Sequence, residues 1–225
     1  MAGVIRAVVF DLDGVVVDTE HVWDEVREQL TREWGGRYTP EAQRAMMGMS
    51  SPEWSRYLHE VVGLPRAPEE INREVVRRML GRYQQELPLV DGAVDAVARM
   101  RDASFALAVA SSSNRPLIDA VLATAGLTAS FATTVSSEEV ARGKPAPDVY
   151  LEAARRLGVE PAQCAAVEDS ENGIRSAHAA GMRVLAFPNR HYPPSDEALA
   201  HADLVLASLH DLTVEAVSGE AVSER

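Results

Sequence analysis

Apolar and polar positions follow two different periods along the chain, and the change of period divides the sequence. Residues 4–11 hold an apolar run, Val4-Ile5-Arg6-Ala7-Val8-Val9-Phe10, that ends at Asp11. Such a run predicts a strand buried on both faces. Residues 18–87 lack strand-like runs and show helical spacing, whereas helical and strand-like segments alternate over residues 88–217.

The middle segment predicts helices alone. Apolar residues recur at helical spacing over 20–34 and again over 68–86. Between them, Thr39-Pro40-Glu41 and Ser51-Pro52-Glu53 each predict a helix start, with Thr39 or Ser51 as the cap residue before a proline at the first helical position. We therefore expect an inserted α-helical cap domain at residues 18–87.

The alternating part predicts an α/β fold, a doubly wound and mostly parallel sheet wrapped by helices. We expect residues 1–17 and 88–217 to form this core, and the small, charged segment 218–225 to be a disordered tail. The segments expected after the insertion are strands at 105–110, 132–135, 164–167, 184–187 and 203–206, and helices at 93–102, 116–125, 147–157 and 171–180.

Composition narrows the class of protein. The chain has 225 residues, of which 46% are apolar, so it can bury a substantial core. The net charge of −12 argues against a nucleic acid or an anionic membrane as partner. No apolar run approaches membrane-spanning length, and no signal-peptide pattern is seen at the N-terminus. The single cysteine, Cys164, excludes an internal disulfide; we expect a cytoplasmic protein in which Cys164 is a buried hydrophobe rather than a nucleophile.

Polar residues of a matching kind follow the predicted strands. Asp11 and Asp13 end the first strand, Ser111-Ser112-Ser113-Asn114 follows the second, and Glu168-Asp169-Ser170 follows the strand at 164–167. Ligands bind at the carboxyl ends of strands in open α/β sheets, so these groups are expected to share one cleft. Taken alone, Asp11 and Asp13 also fit an ordinary acidic turn.

One basic residue stands apart from the others. The chain has 22 lysines and arginines, and only Lys144, before the helix at 147–157, is a lysine. A lysine is a compact point charge that suits a phosphate or carboxylate oxygen, whereas an arginine is a planar fork. The alternative explanation is that the single lysine stands at this position by chance.

These groups together predict phosphoryl chemistry. Crowded carboxylates repel each other unless a metal ion or proton lies between them, and carboxylate oxygens are ligands of Mg²⁺. Hydroxyls, helix-start N–H groups and a lysine suit a phosphoryl group. We expect Asp11 to attack phosphorus and form an aspartyl-phosphate, and Asp13 to act as general acid and base.

Four segments in order resemble the motifs of the haloacid dehalogenase (HAD) superfamily: Asp11-Leu12-Asp13-Gly14-Val15, Ser111, Gly143-Lys144-Pro145-Ala146-Pro147-Asp148 and Glu168-Asp169-Ser170-Glu171-Asn172-Gly173. The similarity covers residues 4 to 210, including a helical cap (the C1 type) directly after the first motif. It is strongest to the branch that holds β-phosphoglucomutase, phosphoglycolate phosphatase and sugar-phosphate phosphatases.

The resemblance implies a role for each motif residue. Asp11 would be the nucleophile and Asp13 the acid/base, and Asp13 also argues against a carbon–halogen hydrolase, which lacks this second aspartate. The remaining implied roles are Mg²⁺ binding by the Asp11 carboxylate, the Asp13 carbonyl and Asp169, support of the metal by Glu168, and phosphate binding by Ser111 and Lys144 with Ser112 close by.

Two departures from the mutase pattern favour hydrolysis. Trp23 stands where the mutase has a cap histidine, and Ser51 stands where it has a substrate-binding arginine. Arg77 and Arg78, on the last helix of the insertion, are candidates to replace that arginine. The alternative is that both lie on a solvated helix face. His21, at a helix start, either faces the substrate or lies on the surface.

We therefore expect a Mg²⁺-dependent phosphatase, a monomer or weak dimer that acts on a small phosphorylated metabolite. The alternative is a hexose-phosphate isomerase of the β-phosphoglucomutase type. A more remote alternative is a receiver-like module that is phosphorylated on Asp11 without turnover. The helical insertion argues against the receiver, because a signalling aspartate needs no cover.

Overall fold

A six-stranded parallel sheet forms the centre of the computed structural model, in which residues 4–219 are described. The strands are β1 (Ala7–Phe10), β2 (Ala106–Ser111), β3 (Thr133–Ser136), β4 (Cys164–Glu168), β5 (Arg183–Ala186) and β6 (Leu204–Val205). Their order in the sheet is β3-β2-β1-β4-β5-β6, and every pairing is parallel.

Helices cover the sheet on both faces and fill the connection after β1. They are α1 (Glu20–Trp34), α2 (Pro40–Met46), α3 (Ser51–Glu60), α4 (Pro68–Gln85), α5 (Ala93–Asp102), α6 (Arg115–Thr124), α7 (Asp148–Leu157), α8 (Glu171–Ala179), α9 (Asp196–Leu199) and α10 (Val214–Ser218). Four consecutive helices, α1–α4, separate β1 from α5. The predicted fold class, a doubly wound sheet with a helical insertion, is confirmed; the domain boundaries at 17/18 and 87/88 stay a prediction.

The pleat of each strand divides the core into two layers. Val8 and Phe10 of β1 belong to a cluster that includes the inward residues of α5 and α6 and continues into the helical insertion. Ala7 and Val9 point to the other face and pack with α7 and α8. Successive side chains of a strand alternate between faces, so a fully apolar β1 is needed to bury both layers.

Local details of the first strand and of the cap of α3 differ from the sequence expectations. The first strand begins at Ala7 rather than residue 4, and Val4 is 81% exposed. Ser50, not Ser51, caps α3, because the Glu53 side chain accepts hydrogen bonds from the Ser50 backbone N–H and Oγ and completes a capping box.

The predicted tail lies almost wholly outside the described residues. Ser218 ends α10 and Gly219 follows it, whereas residues 220–225 are outside the description. Among residues 4–219, none of the helices combines the length and hydropathy needed to cross a bilayer.

Two chain segments connect the helical insertion to the sheet, and they run side by side. The Asp18 backbone N–H donates to Pro88 O at 2.8 Å, and the Val90 N–H donates to Val16 O at 3.0 Å. Val17 and Leu89 form an antiparallel bridge between these hydrogen bonds. The two connecting segments, residues 14–18 and 85–91, are thus partly paired to each other.

Candidate active site

The candidate site lies where the sheet order reverses direction, between β1 and β4. Asp11 directly follows β1, and its backbone N–H donates to Val167 O of β4 at 3.0 Å. Glu168 ends β4 and Asp169 follows it. Carboxylate oxygens of Asp11, Glu168 and Asp169 lie within 4.8 Å of one another, and all three residues are buried. The topology therefore gathers these acids at the crevice where open α/β sheets bind ligands.

Two glycines permit this close approach. Gly14 has φ +85°, and a Cβ at this position would lie 1.9 Å from Asp169 Oδ2. A Cβ at Gly173, in the first turn of α8, would lie 1.9 Å from the Glu168 carboxylate. Both glycines belong to the sequence motifs, and their role is to leave room for the two carboxylates.

Lys144 joins two of the three acids. Its ammonium donates to Asp11 Oδ1 at 2.8 Å and to Glu168 Oε1 at 2.5 Å, and the residue is only 4% exposed. Tyr150 OH also donates to Glu168 Oε1, at 2.6 Å, while Glu168 Oε2 accepts from the N–H groups of Asp169 and Ser170. Because its oxygens are already occupied by protein donors, Glu168 orients Lys144 and the start of α8.

The electrostatics of this cluster disfavour ionisation of its two aspartates. Burial raises the pKa of Asp11 to about 8; the Lys144 ammonium opposes this shift and Glu168 adds to it. Burial also raises the pKa of Asp169 well above its ordinary value, with Glu168 and Asp11 adding to the effect. Burial disfavours the charged form of Lys144, but attraction to Asp11 and Glu168 outweighs it, so the Lys144 pKa is raised. Three buried carboxyl groups beside one ammonium form an oxygen-rich donor set, and a divalent cation there would compensate the negative charge that burial disfavours.

The Asp13 carboxylate is held by donors from two sides of the site. Thr19 Oγ1 donates to Oδ1 at 2.5 Å and Trp23 Nε1 to the same oxygen at 3.1 Å. Ser113 Oγ donates to Oδ2 at 2.6 Å. Thr19 and Trp23 belong to the start of α1, so the helical insertion fixes the direction of this carboxylate.

The serines after β2 occupy different positions. Ser111 is fully buried, and its Oγ accepts a hydrogen bond from the Ser113 N–H at 2.9 Å. Ser112 and Ser113 border the cleft, whereas Ser111 lies behind them. Ser112 Oγ donates to Gly48 O at 3.1 Å and so joins the sheet to the helical insertion.

The cleft has a floor from the strand ends and a roof from the helical insertion. Asn172 Nδ2 donates to Met47 O at 3.4 Å, so this contact joins those of Ser112 with Gly48 and of Asp13 with Trp23 between the sheet and the helical insertion. The floor is lined by Asp11, Asp13, Ser112, Ser113, Lys144, Asp169 and Ser170, and the roof by Glu20, Trp23, Arg27, Met46, Met47, Gly48, Met49 and Trp54.

A family model described as haloacid dehalogenase-like hydrolase matches residues 5–181. The chain belongs to this family. Hexitol phosphatase B of Escherichia coli (strain K12) is 31% identical over 220 residues, which is 96% of this chain and 97% of the relative. A probable pseudouridine-5'-phosphatase of Drosophila melanogaster is 35% identical over 217 residues, 92% of this chain and 91% of the relative.

A solved structure shares the whole fold of this HAD-like hydrolase. CbbY from Rhodobacter sphaeroides in complex with phosphate superposes with a TM-score of 0.84 at 28% identity, covering 95% of this chain and 99% of CbbY. The predicted superfamily and enzyme class, a phosphoric monoester hydrolase, are therefore confirmed.

Three cap residues that the sequence left open lie away from the cleft of this hydrolase. His21 is exposed on α1. Arg77 and Arg78 of α4 pair with Glu74, and Arg78 also pairs with Glu33. Both arginines are therefore engaged in ion pairs rather than directed at a substrate, with Arg77 exposed and Arg78 half-buried.

Sequence reasoning missed the roles of four residues of the site. Trp23 and Trp54 border the cleft, and Arg27 lies beside them. Asn189 Nδ2 donates to Asp169 Oδ2 at 2.9 Å. For Arg27 a signal existed: it lies four residues after Trp23, on the apolar face of α1. For Asn189, in the loop after β5, no signal was available.

Proposed function

We propose that this HAD-like hydrolase is a Mg²⁺-dependent phosphatase that hydrolyses a small phosphorylated metabolite through an aspartyl-phosphate on Asp11. The observation that carries the proposal is the convergence of Asp11, Lys144 and Asp169 in one buried group below a cleft that Asp13 also borders. The relatives named as phosphatases of a hexitol and of pseudouridine-5'-phosphate support a small-molecule substrate.

The charge balance supports a divalent cation. The Asp11 and Asp169 carboxylates, with the Asp13 backbone carbonyl, would hold Mg²⁺, and Glu168 would support them through Lys144 and the α8 start. When bound, Mg²⁺ offsets the negative charge of the phosphate dianion. Lys144 adds a second positive charge, and together with Ser112 it would bind the phosphate oxygens. Ser111, which is buried, would support them by accepting the hydrogen bond from the Ser113 N–H.

The two aspartates divide the chemistry. An Asp11 carboxylate oxygen bonds to phosphorus while the bond from phosphorus to the leaving alcohol oxygen breaks, and Asp13 gives that oxygen a proton. Asp13 then takes a proton from the water that attacks the phosphorus of the aspartyl-phosphate, which frees Asp11 and inorganic phosphate. Thr19, Trp23 and Ser113 keep the Asp13 carboxylate directed toward this region.

The test compares Asp11→Asn with a matched variant, Asp102→Asn, which changes an exposed aspartate on α5. With p-nitrophenyl phosphate and Mg²⁺, we expect Asp11→Asn to abolish phosphate release and Asp102→Asn to retain it, with both variants folded by circular dichroism. Chelation should stop the wild-type reaction, and added Mg²⁺ should restore it. Turnover by Asp11→Asn would reject the mechanism.

A substrate panel separates hydrolysis from isomerisation. Phosphorylated metabolites, β-glucose 1-phosphate among them, are assayed in parallel for free phosphate and for isomerised sugar phosphate. We expect free phosphate. Conversion of β-glucose 1-phosphate to glucose 6-phosphate without phosphate release would instead support the isomerase alternative.

A further inference from the structure

Arg27 is a buried cation in the roof of the cleft. Its side chain comes from α1 and is 6% exposed, although it borders the same cleft as Asp11 and Lys144. Its Nε has no hydrogen-bond partner among residues 4–219, and the guanidinium takes part in none of the ion pairs of that part of the chain. Buried charges in proteins are normally paired, so an unpaired guanidinium on a cleft wall indicates a ligand that pairs with it.

Two tryptophans hold the guanidinium in place. Its central carbon lies 4.7 Å from the ring centroid of Trp23 and 5.2 Å from that of Trp54. The two indoles meet edge to face, with centroids 5.8 Å apart. Stacking on aromatic faces stabilises the charge and leaves the N–H groups at the edge of the guanidinium available. Arg27 is therefore rigid before any ligand arrives.

The acids near Arg27 do not neutralise it. Asp24 accepts a hydrogen bond from Tyr38 OH at 2.8 Å. Glu20 borders the cleft but makes no ion pair with Arg27. Burial, and to a smaller extent the negative charge of Asp13, raises the pKa of Glu20 to about 7. Burial lowers the pKa of Arg27 from its ordinary value, while Tyr38, Glu20, Asp24 and Asp13 oppose that shift. An arginine so placed remains charged at neutral pH.

We propose that Arg27 determines substrate specificity by binding a second oxyanion, a carboxylate or a further phosphate, on the alcohol part of the phosphate monoester. This inference rests on the proposed phosphatase function. The floor of the cleft would bind the phosphate that is removed, and the planar fork of Arg27 would pair with two oxygens of the distal group. The substrate class is then phosphorylated sugar acids, other phosphorylated hydroxy acids, or sugar bisphosphates.

Matched substrate pairs test the inference. Sorbitol 6-phosphate has a hydroxymethyl group where 6-phosphogluconate has a carboxylate. Fructose 1,6-bisphosphate has a second phosphate that fructose 1-phosphate lacks. We expect wild-type kcat/KM to be at least about tenfold higher for the anionic member of one pair than for its neutral member. Which pair shows this preference tells whether the oxyanion is a carboxylate or a phosphate. A preference for the neutral members, or none, would overturn the inference.

Variants then assign the preference to Arg27. Arg27→Gln should lower kcat/KM for the preferred anionic substrate by about tenfold to a hundredfold, because a charged hydrogen-bonded pair is lost. Its kcat/KM for the neutral partner should fall by a smaller factor, so that the ratio of kcat/KM for the anionic over the neutral substrate drops by at least about tenfold. Arg27→Lys should recover part of the loss, since it keeps the charge but not the fork. Arg78→Gln, in a surface ion-pair group, should leave the preference unchanged.

The outcomes separate this inference from the proposed function. Equal losses for anionic and neutral substrates in a folded Arg27→Gln would show a packing role and contradict the inference. The wild-type comparison does not depend on whether any variant folds. Normal, Asp11-dependent hydrolysis of p-nitrophenyl phosphate with no preference within either pair would refute the role of Arg27 while the phosphatase function stands. Absence of all hydrolysis would remove both.

Discussion

Replacing Gly14 by alanine is the sharpest test of how the backbone shapes the site. The new Cβ would lie 1.9 Å from Asp169 Oδ2, well inside contact distance. Asp169 is buried and its Oδ2 is bonded to Asn189 Nδ2 at 2.9 Å, so the carboxylate must leave this position and lose that hydrogen bond. The predicted result is loss of a cation ligand together with loss of stability.

The magnitude follows from two contributions. An alanine at the positive φ of +85° costs about 1–2 kcal/mol of unfolding free energy. Displacing the buried carboxylate from its amide partner adds about 1–3 kcal/mol. Gly126→Ala provides the matched control, because Gly126 has φ +69° and a Cβ there would meet nothing within 4 Å. The control should lose only the part of the unfolding free energy that the positive φ accounts for.

The assay measures unfolding in urea and phosphate release across a Mg²⁺ titration for both variants. We expect Gly14→Ala to reduce activity at least about a hundredfold and to need more Mg²⁺, because an active-site ligand is moved. Gly126→Ala should keep wild-type activity and Mg²⁺ dependence in its folded fraction. Equal activity in the two variants would refute the assignment of Asp169 to the cation site.

Three further outcomes are expected. Gly173→Ala, which would place a Cβ 1.9 Å from the Glu168 carboxylate, should lower both stability and activity, whereas Gly81→Ala in α4, with open space around it, should stabilise by about 0.5–1 kcal/mol; urea unfolding of both variants checks this. Trp23→Phe removes one of the two donors to Asp13 Oδ1 and should lower kcat by about tenfold with an intact fold; an unchanged kcat and pH profile would argue against a positioning role. Burial raises the pKa of Cys164 to about 11, so Ellman's reagent at pH 8 should react with the thiol only after unfolding, and rapid labelling of the folded protein would contradict its burial.

The floor of the site was predictable because it depends on chain order and strand ends. Asp11, Lys144 and Asp169 follow or precede recognisable strands and helices, and the carboxyl ends of parallel strands share one edge of the sheet. The prediction of α1 at 20–34 also matches the structure, since its apolar period is regular. Cys164 is buried in β4, as expected.

The roof was less predictable because it depends on packing between helices. Trp23 and Trp54 border the cleft because α1 and α3 pack against each other, and the sequence does not show this packing. Arg27 interrupts an apolar face, and only the position of both indoles shows that it is buried rather than solvated. The choice of Ser50 over Ser51 as the α3 cap depended on which serine Glu53 reaches.

Trapping the phosphorylated enzyme tests the central claim most directly. The wild type and an Asp13→Ala variant are mixed with the best substrate and Mg²⁺, quenched in acid within milliseconds, and digested for mass spectrometry. We predict one added phosphoryl group on the peptide that contains Asp11, with slower decay in Asp13→Ala because no base activates the water. A phosphoryl group on another residue, or turnover with no phosphorylated enzyme at any time point, would contradict the account.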